Sequence, residues 1–238
     1  MLEARFEFDG EVYEGVVVQD EILTEDTEFP IEEVDILPPS TPSKVVAVGM
    51  NYAEHAEELG SEVPDFPLLF FKPPNSVIGH GEVVEYPETT DRLEYEGEIG
   101  VVIDSHCKDV SVDEAPEYIR GYTCVNDITA RDWQEKESQW ARAKGMDGFC
   151  PVGPFVQTDL SDSIGVETVV NGEVRQSANT EDTVFSIPEI VSEISRFMTL
   201  EEGDVIATGT PEGVGEIESG DTVEVEVEDV GTLSNEVV

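Results

Sequence analysis

Two glutamates, Glu96 and Glu98, are separated by one residue and stand directly before residues 99–103, an apolar run broken only by Gly100. In a strand, residues two apart point to the same side, and such a run is typical of a strand buried on both faces. Neighbouring carboxylates in such a place lose hydration and repel each other. A divalent cation relieves both costs, and Mg²⁺, Mn²⁺ and Ca²⁺ prefer oxygen ligands. The pair is therefore a candidate metal-binding element.

Chance offers an alternative explanation for this pair, because the chain is rich in acidic residues. Glu224, Glu226 and Glu228 alternate in the same way, and we interpret that row as the solvent-facing side of a strand. The spacing of Glu96 and Glu98 fits either explanation. The metal assignment therefore depends on partners elsewhere in the chain.

A third carboxylate, Asp127, follows the apolar segment 122–125 and Asn126. At the end of a core strand this acid can join Glu96 and Glu98. Three carboxylates and several waters make an octahedral oxygen site of the kind that Mg²⁺ and Mn²⁺ occupy. The alternative is that Asn126 and Asp127 simply form a turn, where such residues are common.

A histidine and a glutamate, His55 and Glu58, lie three residues apart in a helix predicted over residues 52–59. They share one face of that helix, and a carboxylate that orients an imidazole makes a common acid–base dyad. A surface pair without a catalytic role is the alternative. The sequence therefore offers a candidate dyad besides the candidate metal ligands.

Three basic residues, Lys72, Arg131 and Lys144, are candidates for contacts with a ligand. Lys144 opens the glycine-containing segment 144–148, in a chain that has few lysines. Basic groups near a metal suit an anionic substrate. The alternative is that all three are ordinary solvated side chains.

The charge balance excludes one class of partner and indicates an environment. The 238 residues include 12 Lys and Arg against 55 Asp and Glu, which gives a net charge of −43. We expect no nucleic-acid partner, because phosphate binding requires clustered Lys and Arg. Salt screens self-repulsion of this size, so we expect a salt-adapted protein.

The sequence shows no sign of export or of membrane insertion. No apolar run is long enough to span a membrane, and the N-terminal residues lack the layout of a signal peptide. The cysteines, Cys107, Cys124 and Cys150, show no metal-binding or disulfide pattern. We therefore expect a cytoplasmic protein that contacts no membrane.

Short strands separated by Gly and Pro dominate the predicted elements. Asp9-Gly10 and Asn171-Gly172 predict β-hairpins, and longer helices are predicted over residues 129–140 and 186–198. This pattern favours a β-rich α+β fold, a mixed roll or sandwich, over a doubly wound α/β sheet.

The chain is predicted to have two unequal parts. Residues 1–42 form a small N-terminal β appendage that ends in a proline-rich linker. Residues 43–238 form the main domain, which contains all of the candidate site residues.

Several segments, taken in order, resemble motifs of the fumarylacetoacetate hydrolase family. They are VGMNYAEH at 48–55, FKP at 71–73, YEGEIG at 95–100, VNDITARD at 125–132, KG at 144–145 with CPVGP at 150–154, and TGTP at 208–211. The resemblance runs from about residue 44 to the C-terminus. Gly97 and residues 146–148 stand where other side chains are common in the family, so the substrate remains open.

The resemblance implies a fold, a cofactor and an oligomer. The fold is the mixed β-sandwich roll of the family's C-terminal domain, and members are usually homodimers. Glu96, Glu98 and Asp127 would bind one Mg²⁺ or Mn²⁺. The catalytic residues it implies are His55, Glu58 and Lys144. The substrate contacts it implies are Lys72, Arg131, Gln134 and Thr210.

The resemblance also implies a class of reaction on small 2-oxo acids such as acylpyruvates. The metal would stabilise an enolate, His55 held by Glu58 would activate water, and Lys144 would offset charge. We therefore predict a carbon–carbon bond hydrolase of the kind used in breaking down aromatic compounds. The alternatives are an isomerase of 2-hydroxyhepta-2,4-diene-1,7-dioate-type substrates, an oxaloacetate decarboxylase, and a non-catalytic binding protein on the same fold.

Overall fold

The computed structural model of the chain describes residues 1–54, 64–159, 161 and 163–238. Strands dominate these residues, and the longest described α-helix has 11 residues. The strands are β1 (Leu2–Phe8), β2 (Glu11–Val18), β3 (Glu21–Leu23), β4 (Glu28–Pro30), β5 (Asp35–Ile36), β6 (Val45–Gly49), β7 (Leu68–Lys72), β8 (Val77–Ile78), β9 (Leu93–Tyr95), β10 (Gly97–Ile103), β11 (Ile119–Asn126), β12 (Thr129–Ala130), β13 (Cys150–Gln157), β14 (Gly165–Val170), β15 (Glu173–Asn179), β16 (Val205–Ala207), β17 (Gly215–Ile217), β18 (Thr222–Val227) and β19 (Gly231–Glu236).

The described helices are few. The α-helices are α1 (Arg131–Lys136), α2 (Ala141–Lys144) and α3 (Ile187–Phe197), and the 3₁₀ turns are Ile31–Glu33, Pro74–Ser76, Ala115–Tyr118 and Thr180–Asp182. None of the helices in the described ranges is long and apolar enough to cross a membrane. The β-rich fold class predicted from the sequence is confirmed.

One large mixed sheet contains twelve of the described strands, in the order β4-β3-β2-β1-β13-β11-β10-β16-β6-β7, with β5 and β8 paired at its side. β10 lies between β11 and β16, and all seven of its residues are buried. The apolar run after Glu98 therefore forms a strand covered on both faces, as its composition predicts.

The main core lies between this sheet, the four-stranded sheet β15-β14-β18-β19 and helix α3. Apolar side chains from all three layers meet there, including Val101 of β10, Val225 of β18 and Ile194 of α3. Alternate residues of β18 are buried, while Glu226 and Glu228 face solvent. The interpretation of that acidic row as a solvated face is confirmed for Glu226 and Glu228, while Glu224 is half-buried.

The N-terminal segment continues the large sheet. β1 pairs antiparallel with β13, from Leu2 opposite Gln157, and with β2 across the hairpin at Asp9 and Gly10. Both hairpin residues have positive φ, 52° and 81°, which suits an Asp-Gly turn. The first forty residues are thus joined to the main domain by backbone hydrogen bonds as well as by the chain.

The hairpin predicted at Asn171-Gly172 is confirmed, and so is the helix predicted over residues 186–198. β14 pairs antiparallel with β15 around that hairpin. Ser186 caps α3, and its hydroxyl and N–H both contact the Glu189 carboxylate, as in a capping box.

The helix predicted over residues 129–140 is wrong in extent. Thr129 and Ala130 pair with β9 as strand β12, so helix α1 begins only at Arg131. The α1 helix ends at Lys136, and Trp140 has a left-handed φ of 57°. Strand pairing at one end and the left-handed residue at the other end confine the helix. The helix predicted over residues 52–59 falls mostly outside the described residues.

Candidate metal centre

The three predicted metal ligands come together in one buried cluster. Glu96, Glu98 and Asp127 each offer a carboxylate oxygen, and these oxygens all lie within 4.8 Å of one another. All three side chains are buried. The prediction that they form one cluster is thus met, and their role as metal ligands stays a prediction.

Strand pairing positions the three carboxylates. β10 and β11 are antiparallel, with Gly97 opposite Asn126, so the start of one strand meets the end of the other. The Asp127 N–H donates to the Glu96 carbonyl at 2.8 Å, and the Glu96 N–H donates to Asn126 Oδ1 at 3.2 Å. Asn126, at the end of β11, and the Asp127 N–H together fix the place where Asp127 meets Glu96.

Lys144 bridges two of these carboxylates. Its Nζ lies 2.8 Å from Glu96 Oε2 and 2.7 Å from Asp127 Oδ2, and 4.9 Å from the centroid of the Phe70 ring. Burial lowers the pKa of Lys144, but the carboxylates of Asp127 and Glu96 outweigh burial and raise it. The ammonium is therefore held in its charged form beside the cluster.

Lys72 lies against the other oxygen of Asp127. Its Nζ pairs with Asp127 Oδ1 and donates to the Ile128 carbonyl at 3.1 Å, and the side chain is fully buried. The sequence predicts a substrate contact for Lys72, and the structure gives it two protein partners. Its contact with substrate remains a prediction.

Arg131 is the third basic residue beside the cluster, and it also contacts Glu94, a residue that sequence reasoning missed. Its Nη2 lies 2.7 Å from Glu96 Oε1, and its Nε donates to Glu94 Oε2 at 2.6 Å. The Gln134 side chain accepts from Nη1. Glu94 lies on β9, two residues before Glu96. The strand alternation that placed Glu96 and Glu98 on one side was therefore a signal that could have identified Glu94 as well.

Glu98 differs from its two neighbours in its partners. Its Oε2 accepts from the Gly209 N–H at 2.8 Å, whereas Glu96 and Asp127 both pair with cationic side chains. Burial, followed by the charges of Asp127 and Glu96, raises the pKa of Glu98 well above its ordinary value. A cation among the three carboxylates would offset these costs. The donor set fits Mg²⁺ or Mn²⁺, which take carboxylate oxygens.

Thr210 lies in the segment that follows β16, close to the start of β10. Its hydroxyl donates to the Gly97 carbonyl at 2.9 Å and accepts from Gln176 Nε2 at 2.7 Å. The role predicted for Thr210 in substrate binding therefore remains a prediction. His55 and Glu58, the predicted acid–base dyad, lie outside the described residues.

Tyr52 is a second residue that sequence reasoning missed. Its side chain is buried, and its hydroxyl has no hydrogen-bond partner within the described ranges. Burial, and then the charge of Glu98, raises its pKa. The phenol stays neutral near Glu98. Tyr52 lies within the VGMNYAEH segment at 48–55, but that motif did not indicate a role for it.

Comparison with known proteins identifies relatives along nearly the whole chain. Residues 44–238 match a family model described as the C-terminal domain of fumarylacetoacetate (FAA) hydrolase. An uncharacterised protein of Archaeoglobus fulgidus is 48% identical over 237 residues, covering 98% of this chain and 95% of the relative. An oxaloacetate tautomerase of Bacillus subtilis is 43% identical over 225 residues, covering 88% of this chain and 75% of the relative.

A solved structure shares the fold closely. The crystal structure of a 5-carboxymethyl-2-hydroxymuconate delta-isomerase from Mycobacterium smegmatis superposes with a TM-score of 0.93 at 44% sequence identity, covering 100% of this chain and 98% of that one. The N-terminal strands are therefore included in the shared architecture.

Proposed function

Because the chain belongs to the fumarylacetoacetate hydrolase family, we propose that it is a divalent-metal-dependent enzyme that acts on 2-oxo acids by way of an enolate at the carbon beside the 2-oxo group. The observation that carries this proposal is the cluster of three buried carboxylates with the Lys144 ammonium across two of them. Glu96, Glu98 and Asp127 would hold one Mg²⁺ or Mn²⁺. When bound, this ion supplies Lewis acidity toward the carboxylate and 2-oxo oxygens of the substrate.

The basic residues of the chain supply the complementary charge. Lys144 is buried, charged and adjacent to the cluster, so its ammonium is placed to offset negative charge that develops on a 2-oxo oxygen. The Arg131 guanidinium, held by Glu94, is planar and suits a substrate carboxylate. Together they favour a small anionic 2-oxo acid over a neutral carbonyl compound.

For the overall reaction, we propose hydrolysis of a carbon–carbon bond in an acylpyruvate-like acid. In this reaction His55, oriented by Glu58, takes a proton from water, and the water attacks the distal carbonyl. The bond between that carbonyl carbon and its neighbour then breaks, the neighbouring carbon departs as part of the pyruvate enolate, and the proton that His55 took from water goes to this enolate to give pyruvate. Lys144 lies where it can offset the charge that is released.

Isomerisation is the second candidate, and the names of the relatives favour it. One relative is a tautomerase of oxaloacetate and another is an isomerase of a hydroxymuconate. Such a reaction needs a proton moved from one atom to another and no attacking water. The same cluster and the same basic residues would serve it, while His55 would carry the proton. Oxaloacetate decarboxylation remains a third outcome to be assayed.

A substrate panel separates these reactions. Purified protein in molar KCl with Mg²⁺ is given acetylpyruvate, fumarylpyruvate and oxaloacetate, and pyruvate release, CO₂ release and the enol absorbance are followed. Pyruvate and the matching acid from the acylpyruvates support hydrolysis, and a change in the enol absorbance alone supports isomerisation. No turnover of any compound would leave a binding protein as the remaining interpretation.

Two variants test the assigned residues. Glu98→Gln removes one ligand charge and is expected to abolish both turnover and Mn²⁺ binding, whereas Glu226→Gln, on the exposed face of β18, should change neither. His55→Ala is expected to lower turnover by about 10²-fold or more while Mn²⁺ affinity stays at the wild-type value. An unchanged rate in His55→Ala would show that the dyad is not used.

The oligomeric state is also a proposal. Members of the family are usually homodimers, and we propose the same state here. Light scattering on the protein in molar KCl, at several concentrations, gives its mass directly. A monomer mass at all concentrations would refute the dimer and leave the proposed chemistry untouched.

A further inference from the structure

Gly97 stands between two of the candidate ligands, and side chains of other elements hold both of its backbone polar groups. Its N–H donates to Gln176 Oε1 at 3.0 Å, and its carbonyl accepts from Thr210 Oγ1 at 2.9 Å. Gln176 belongs to β15, and Thr210 to the segment after β16. The two peptide groups that link Glu96 to Glu98 through Gly97 are therefore held by side chains from outside β10.

Gln176 closes this arrangement into a ring. Its Nε2 donates to Thr210 Oγ1 at 2.7 Å and to the Pro211 carbonyl at 2.8 Å, and its side chain is buried. The Gln176 side-chain amide thus joins the start of β10 to the 208–211 segment. That segment also supplies the Gly209 N–H that contacts Glu98.

Strand β14 approaches the same glycine so closely that no side chain fits there. A Cβ built on Gly97 would lie 1.9 Å from Thr168 Oγ1 and 3.3 Å from Gln176 Oε1. The Thr168 hydroxyl has no hydrogen-bond partner among the described residues, so it acts here by its volume. β14 and β15 together therefore set how far the start of β10 can move.

We propose that Gln176 is a positioning residue of the metal centre, which sets the relative placement of Glu96 and Glu98 through the Gly97 peptide and the 208–211 segment. This inference rests on the proposed function, because it assumes that those carboxylates bind a metal. The hydrogen bonds of Gln176 go to Gly97, Thr210 and Pro211 and not to the three carboxylates. It acts through hydrogen bonds that a shape-preserving substitution removes without adding charge.

The test is the affinity for Mn²⁺, measured by the electron paramagnetic resonance signal of free Mn²⁺ in titrations of the full chain. Gln176→Met keeps the length of the side chain and removes all three hydrogen bonds. We expect Mn²⁺ affinity to fall by about tenfold, at the low end of the effect of residues that support metal ligands. An affinity within about twofold of the wild-type value would overturn the proposal.

Asn235→Leu is the matched control. Asn235 is another buried amide, and it donates to the Gly79 and Glu82 carbonyls at 2.8 Å each. Asn235→Leu removes comparable hydrogen bonds away from the three carboxylates. It should therefore lower the melting temperature about as much as Gln176→Met does. If Asn235→Leu weakened Mn²⁺ binding as much as Gln176→Met, general destabilisation would explain the loss and the proposal would fail.

A second pair of variants decides the matter if Gln176→Met does not fold. Gly97→Ala places a methyl group against the Thr168 hydroxyl and should weaken Mn²⁺ binding, while the double variant Gly97→Ala/Thr168→Ala should recover most of the affinity. Wild-type affinity in Gly97→Ala, or no recovery in the folded double variant, would contradict the proposal. If the wild-type protein itself binds no Mn²⁺, it is the proposed function that fails.

Discussion

At the scale of single residues, the candidate centre contains carboxylates with different partners. Both oxygens of Asp127 face a lysine ammonium, Lys72 on one side and Lys144 on the other. Glu98 has a backbone N–H instead. Because removing one partner of a buried ion pair leaves the other charge uncompensated, these lysines have consequences for the stability of the fold.

Lys72→Met is expected to destabilise the protein strongly. The substitution keeps the length of the side chain but leaves Asp127 with one cationic partner in a fully buried place, at a cost of about 3–5 kcal/mol. The measurement is the free energy of unfolding in denaturant without added metal. Lys136→Met, which removes an exposed i,i+4 pair with Asp132, should cost under about 0.5 kcal/mol. Equal losses in the two variants would contradict a structural role for Lys72.

At the scale of elements, two turns of related sequence lead into strands but differ in what they bind. Glu201-Glu202-Gly203-Asp204 precedes β16, and Glu218-Ser219-Gly220-Asp221 precedes β18. In each, the aspartate carboxylate accepts from the N–H of the first glutamate at 2.8 Å. Asp204 additionally accepts from the backbone and side chains of Ser43 and Lys44. That turn therefore attaches residues 43–44, which precede β6, to the start of β16, the strand that pairs with β6.

Asp204→Asn tests this attachment and its pH dependence. Burial raises the pKa of Asp204, but hydrogen bonds from Glu201, Lys44 and Ser43 outweigh burial and lower it below its ordinary value of 3.8. A carboxylate with a lowered pKa in the folded state stabilises the protein above the pKa of the unfolded state. That stabilisation is lost as the pH falls through the folded-state pKa.

We therefore expect the wild-type protein to exceed Asp204→Asn in the free energy of unfolding by about 1–3 kcal/mol at neutral pH. The difference should persist down to about pH 4 and shrink below it. Asp221→Asn, in the matching turn without a lysine, should show a smaller difference. A gap between wild type and Asp204→Asn that widened on acidification would have the wrong sign for this mechanism.

The sequence was enough to predict the three clustered carboxylates but not the residues that hold them in place. Glu96, Glu98 and Asp127 were identifiable because strand alternation and apolar runs are local signals, and adjacent antiparallel strands then brought them together. Gln176 was not identifiable, because its partner Gly97 lies 79 residues away in the chain. The contact between them depends on how two sheets pack. Helix α1 was overestimated because pairing of Thr129 with β9 is likewise a tertiary effect.

At the scale of the whole molecule, charge is distributed unevenly. The chain has 12 basic residues and a net charge of −43, yet Lys72, Arg131 and Lys144 are all buried around one cluster. The carboxylates of Glu94, Glu96, Glu98 and Asp127 are buried with them, so nearly all of the net negative charge belongs to the rest of the chain. Repulsion within that charge opposes the compact state until counterions screen it.

The melting temperature is expected to rise steadily as KCl is increased from low ionic strength to molar concentration. The physical reason is screening of carboxylate repulsion, whose range shrinks from about 30 Å at 0.01 M to about 3 Å at 1 M salt. Calorimetry at fixed pH gives the dependence, and sucrose serves as an uncharged control for solute exclusion. A melting temperature that fell or stayed level with KCl would refute salt adaptation.

The three buried cations inside an acidic shell also determine how an anion arrives. In most enzymes that attract a charged ligand, added salt weakens the long-range field and slows encounter. Here the net charge of −43 would repel the proposed anionic 2-oxo acid at long range, and only close contacts with groups such as Lys144 and Arg131 would offset that repulsion. The encounter rate, measured as kcat/KM under conditions limited by binding, should therefore increase with ionic strength, and the acidic surface would act as a barrier that salt lowers.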